Sequence, residues 1–133
     1  DSFLASIPES KADHAYAEGK WTVKQLLQHI IDAERIFTHR ALWFARHSPP
    51  PLSGFDENEY AAVADVSKRS VASLADELRA VRKSSEFLFN SFTDKDLNTS
   101  GTANTHAITV NALGFVTLGH FLHHKRILEE RYL

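Results

Sequence analysis

Cysteine is absent from this 133-residue chain. Its absence removes disulfide bonds, thiolate nucleophiles and zinc-finger frameworks together, and fits a reducing compartment such as the cytoplasm. Any metal site must then use nitrogen and oxygen donors. Long apolar runs are missing too: none approaches the roughly 20 residues of a membrane-spanning helix, so no membrane partner is expected. The chain opens at Asp1 without a charged-then-apolar leader, and that start leaves room for an upstream segment.

An excess of positive charge is also lacking. Lys and Arg number 15 against 17 Asp and Glu, a formal net charge of -2, so no broad cationic field attracts phosphate backbones and nucleic acid is not an expected partner. No strand-length alternation competes with helical spacing, and no period of about 20 to 50 residues repeats, which excludes solenoids and propellers. What remains is ordinary globular usage, 43% apolar and 24% charged, in a length that suits one domain over residues 1–133 with its own core.

The first 20 residues read as a short apolar turn around Phe3, Leu4 and Ile7 and then a polar loop. Thr22 and Gln25 form the T-x-x-Q signature of a capped helix start, with Trp21 placed to staple it. From there Leu26, Leu27, Ile30, Ile31, Phe37, Ala41, Leu42 and Phe44 recur at helical spacing until Ser48 and the prolines 49–51 stop the helix. After a Pro/Ser/Gly loop, Asp56 can cap a short helix carrying Tyr60 to Val63, and Ser67 or Ser70 can cap the next. That helix has an apolar stripe of Val71, Leu74, Leu78, Val81, Phe87, Leu88 and Phe92, with Glu77, Arg79, Arg82 and Lys83 on its wet side. Thr93 and Asp94 punctuate its end. Residues 97–109 make a long connection with room for a brief extended pair, and the last helix runs from about Val110 to Tyr132. The expected fold is all-α, a bundle whose connections are long for a simple up-down arrangement, so crossover connections or accessory helices are expected.

Eight histidines are present, and their placement matters more than their number. On the last helix Leu113, Val116, Thr117, His120, His124, Ile127 and Leu128 fall along one stripe, so His120 and His124 point inward one turn apart, spacing that lets both reach one ion. The bland alternative is one packed core histidine and one surface residue. His29 lies between Leu26 and Ala33 on the inward face of the first long helix. Three inward imidazoles from two helices form a facial nitrogen set with at least one coordination position open, the arrangement of a catalytic rather than a structural ion. His123 projects about 100° from His124 and is not expected to be a ligand. His14, His39, His47 and His106 lie in polar or loop contexts and receive no role. Asp32, three residues after His29, is available to orient a ligand imidazole or to act as a base, or else to pair with Arg35 or Arg40. Glu34, with Arg35 and Arg40, reads more simply as inter-helix salt bridges near a loop.

With these residues in view, the chain resembles the DinB-like (DinB/YfiT-like) superfamily of metal-dependent enzymes. Four stretches carry the resemblance: IPESKADHAYAEGKWTVKQLLQHIIDAER, with Lys-Trp-Thr leading to His29, Asp32, Glu34 and Arg35; RALWFARHSPPPLSGFDENEYAA; NTSGTANTHAITVNAL; and GHFLHHKRILEERYL. The resemblance implies a four-helix bundle with unusual connectivity, His29, His120 and His124 as ligands of one divalent ion such as nickel or zinc, and frequent homodimers. It also implies thiol S-transferase-like chemistry on a small molecule, with a low-molecular-weight thiol as a partner. The amino end is short relative to the family's first helix. Hydrolysis would use the same ion chemistry. The competing readings are a non-catalytic metal-binding bundle, whose sign is a fourth protein ligand from Asp32, Glu34 or His123, and a small-ligand sensor. Leu42, Trp43 and Phe44 are the candidate dimer face.

Overall fold

The computed structural model describes residues 1–47 and 50–133. In chain order its elements are α1 (Ser2–Ser6), α2 (Val23–Ala45), α3 (Glu57–Val63), α4 (Val71–Asn90), α5 (Asp94–Asn98), the strands β1 (Ser100–Ala103) and β2 (His106–Thr109), and α6 (Val110–Ile127). A 3-10 turn at Glu9–Lys11 follows α1, and one π turn, Leu128–Tyr132, ends α6. The architecture is a helical bundle built on α1, α2, α4 and α6, with α1 reduced to little more than a turn.

The helix α2 is the spine. Thr22 and Gln25 close the expected capping box, the Thr22 hydroxyl accepting from the Gln25 N–H and the Gln25 side chain accepting from the Thr22 N–H. Its 23 residues span about 35 Å, long enough to serve two cores. Leu26, Leu27, Ile30 and Ile31 pack with Leu74 and Leu78 of α4, Leu4 of α1 and Leu128. Ala41, Phe44 and Ala45 pack with Phe92, Val110 and Leu113 at the other end. The prolines and Ser48 expected to stop α2 follow its end at Ala45, and Ser48 and Pro49 lie outside the described residues.

Each long connection carries its own structure. Asp56 caps α3 and Ser70 caps α4, whose first N–H, that of Val71, also donates to both oxygens of the Glu9 carboxylate at 2.9 and 3.2 Å. A carboxylate there meets the positive end of the helix dipole and ties the amino-terminal segment to α4. Thr93, expected to punctuate the end of α4, instead caps the one-turn helix α5. The brief extended pair is an antiparallel hairpin in the register Ser100↔Thr109 to Ala103↔His106. Asn104 and Thr105 turn it at positive φ of 49° and 65°. Gly101 is required where Phe44 lies against the strand, since a Cβ there would sit 2.1 Å from the ring. Thr109 ends β2 and caps α6, so the hairpin fixes where α6 begins.

Several expected exposures are reversed. Arg82 is not on a wet face: its guanidinium reaches across to Glu34 with two bonds of 2.8 Å, and Ser85 donates to the same carboxylate at 2.7 Å. Glu34 is only 2% exposed and makes the expected inter-helix bridge, from α2 to Arg82 on α4; Arg35 makes a second one to Glu77 at 2.8 Å, while Arg40 makes none among the described residues. Phe87 and Val116, both assigned to inward stripes, are exposed. Phe44 is core and Trp43 packs beside it with its indole N–H on the Pro50 carbonyl, which leaves Leu42 alone of the expected dimer face in the open.

Replacing Arg82 with Met strands the Glu34 carboxylate and is expected to lower stability by about 3–5 kcal/mol, whereas Glu34→Leu with Arg82→Met recovers most of it. Urea unfolding of both variants checks this; equal losses would mean the charges are not coupled.

Candidate metal centre

The pairing of α2 with α6 brings His29, His120 and His124 together. His29 Nε2 lies 3.0 Å from His120 Nε2, and His124 Nε2 lies 3.2 Å from the same atom. The rings meet edge to face with centroids 4.5 to 4.9 Å apart. Among the described residues this is the one group of three or more His, Cys, Asp or Glu side chains whose donor atoms lie close enough to share an ion. Helical spacing accounts for His120 and His124; α2 has to be docked beside α6 before His29 can complete the set.

Burial shapes the chemistry of the three rings. It holds each pKa down to about 4, against the ordinary 6.5, and neighbouring histidines add to the effect: His124 on His29, His29 then His123 on His120, and His120 then His123 on His124. The Glu57 carboxylate opposes the shift at His29 weakly. All three imidazoles are therefore neutral near pH 7 with lone pairs to offer. With neutral imidazoles the two contacts at His120 Nε2 must share a single N–H or a single lone pair, so the three Nε2 atoms satisfy one another poorly. His124 Nδ1 is in addition buried without a hydrogen-bond partner. This donor set, neutral, convergent and under-satisfied, fits a divalent cation.

Other features of the site were not legible as functional. The Trp21 ring, read only as a helix staple, lies 4.8 Å from the His29 ring, and Tyr132 donates its hydroxyl to the Trp21 carbonyl at 2.8 Å. The π turn that ends α6 carries Tyr132 to this position. Beside His124 opens a cavity of about 230 Å³ walled by Tyr16, Lys20, Trp21, Asn58, Ile127 and Tyr132. These walls come from three separate segments, so no local motif announces them.

No fourth protein ligand completes the group among the described residues. Glu34 is committed to Arg82 and Ser85. Asp32 accepts from Gln28 Nε2 at 2.9 Å and makes no ion pair with Arg35 or Arg40. His123 is exposed, its ring centroid 5.0 Å from that of His124.

A family model described as the DinB superfamily matches residues 1–128. Two curated relatives, provisionally named metal-dependent hydrolases, come from Geobacillus thermodenitrificans (strain NG80-2) and Geobacillus kaustophilus (strain HTA426). Each is 31% identical over 62 residues, 47% of this chain and 35% of the relative. The chain thus spans about a third of the length of these relatives. Among solved structures, YfiT from Bacillus subtilis, described as a probable metal-dependent hydrolase with an unusual four-helix bundle topology, superposes with a TM-score of 0.77 at 21% identity, over 96% of this chain and 75% of that one. The mycothiol-dependent maleylpyruvate isomerase superposes with a TM-score of 0.72 at 14% identity, over 92% of this chain and 52% of that one.

Because the folded pKa of each imidazole is depressed, the unfolded chain binds more protons between about pH 6.5 and 4. Stability of the ion-free protein is therefore present above pH 6.5 and lost as pH falls toward 4. Urea unfolding at about pH 7 and about pH 5 should give a smaller stability loss for His124→Asn than for wild type. Equal losses would mean that His124 is not held neutral by the fold.

Proposed function

The chain belongs to the DinB superfamily, and we propose that it is a metal-dependent enzyme acting on a small molecule, with His29, His120 and His124 holding one divalent ion, nickel or zinc. The observation that carries this reading is the convergence of three neutral Nε2 atoms, with His124 on the wall of a cavity. The three imidazoles would hold the ion, which when bound would supply Lewis-acid activation of water or of a thiol at neutral pH.

The chain's own residues supply the rest. Trp21 and Tyr132 fix the His29 side of the site, while Tyr16, Leu26 and Ile127 give the cavity an apolar wall that limits water around a bound substrate. Lys20 and Asn58 stand at the same cavity as polar groups able to orient it. Asp32, one turn from His29, is the proposed base or orienting carboxylate. Transfer of a low-molecular-weight thiol to an electrophile is the reading that the mycothiol-dependent neighbour supports, and hydrolysis is the one that the relatives' names support. Both need a nucleophile made at neutral pH without a protein thiol. No helix of the described residues is long and apolar enough to cross a membrane, and the working location is the cytoplasm. A homodimer has an exposed apolar stripe available on α6, at Phe115, Leu118 and Leu122.

The test is turnover by protein reconstituted with nickel or zinc, offered cysteine or glutathione with a chloronitrobenzene and, separately, nitrophenyl esters. Either reaction should exceed that of the free ion, fall to background in His120→Ala, and drop at least tenfold in Asp32→Asn with the ion retained. A loaded protein inert across both panels would favour the non-catalytic metal-binding bundle.

A further inference from the structure

A second cavity, of about 320 Å³, lies further along α2 and is bounded by Ile36, His39 and Arg40 on the helix and by Phe55 and Tyr60 beyond the loop. Arg40 follows His29 by three turns on the same stripe, a rise of about 16 Å, so this cavity is separate from the histidine cluster. None of its lining residues is acidic. Arg35, also on its wall, is already engaged by Glu77. The nearby Asp56 carboxylate is occupied in capping α3, where it accepts from the Asn58 and Glu59 N–H groups.

Arg40 is under-partnered. Arg35, Arg69, Arg79, Arg82 and Arg126 each have a carboxylate within 4 Å. Arg40, half-buried, makes one hydrogen bond, from Nη2 to the Ser53 carbonyl at 3.2 Å, and no ion pair among the described residues. Its burial lowers its pKa below the ordinary arginine value, the mark of a cation drawn partly out of water without an anion in return. The guanidinium fork suits a carboxylate bidentately. Next to it the Phe55 and Tyr60 rings, with centroids 5.1 Å apart and planes inclined by 57°, offer an apolar aromatic wall.

The wall is built and held. Leu52 pairs with Ala103 of the hairpin, its N–H donating to the Thr102 carbonyl at 2.9 Å and its carbonyl accepting from the Asn104 N–H at 3.0 Å. Gly54 sits so close to the Asn104 side chain that a Cβ there would lie 2.3 Å from its Oδ1. The loop is therefore pinned to the same hairpin that sets the start of α6, and the cavity exists before any ligand arrives.

We propose that this cavity binds an organic oxyanion with a flat apolar body, an aromatic carboxylate, whose carboxylate is held by Arg40 with His39 beside it and whose ring lies against Phe55 and Tyr60. The site is independent of what the three histidines hold.

Calorimetric titration of the full chain with benzoate, inorganic phosphate and benzylamine tests it, using wild type, Arg40→Ala, Arg40→Lys and the distant control Arg126→Ala. Benzoate should saturate wild type and Arg126→Ala at about millimolar concentration, weaken at least tenfold in Arg40→Ala and severalfold in Arg40→Lys, and benzylamine should not bind. Absence of saturable benzoate binding to wild type overturns the proposal, as does undiminished binding in Arg40→Ala. If that variant loses helicity, an unchanged affinity in Arg40→Lys overturns it in the same way, because lysine keeps the charge and loses the fork. Inorganic phosphate binding as tightly as benzoate would overturn the aromatic assignment.

Discussion

An imidazole nitrogen buried without a partner costs about 1 to 3 kcal/mol, and the contact between α2 and α6 gathers three imidazoles whose Nε2 atoms face one another. That contact orders much else. It fixes the rotation of both helices, since His29 lies on α2 beside the residues of one core, and His120 and His124 continue the α6 stripe that begins at Leu113 in the other. It also sets the surroundings: Trp21 and Phe37 pack against the rings, and the last turn of α6 unwinds to carry Tyr132 to the Trp21 carbonyl. A purely apolar seam would bind the two helices at lower cost. A bound cation would repay the desolvation of such a polar cluster.

The bundle separates this strain from its stability. The α2–α4 seam is held by buried leucines and by the Glu34 carboxylate, which takes three hydrogen bonds from Arg82 and Ser85. The one buried side-chain polar atom without a hydrogen-bond partner among the described residues, His124 Nδ1, lies on the α2–α6 side. One seam is satisfied while the other carries the histidine cluster, with His124 on the wall of a cavity.

The long helices were legible because their signals are local: the Thr22–Gln25 box, the stripe on α2 and the Ser70 cap need no knowledge of distant residues. His120 and His124 were legible for the same reason, being one turn apart. His29 was reached through its apolar neighbours, and the docking of α2 against α6 bears out its inward position. Partnerships across long stretches of chain were not legible. Glu34 finds Arg82, 48 residues away, in preference to arginines one and six residues along its own helix, because its face of α2 is buried against α4. The exposure of Phe87 and Val116 reflects the width of their helices' buried stripes, which periodicity alone does not define. The walls of the cavity beside His124 come from distant segments that no motif links.

The central claim is that the three histidines hold an ion, and elemental mass spectrometry on protein purified without an affinity tag tests it most directly. The account predicts about one equivalent of a divalent metal per chain in wild type, and loss of that metal in the His120→Ala, His124→Ala double variant with helicity preserved. No metal in either protein, even after exposure to nickel, zinc and manganese at neutral pH, would contradict it.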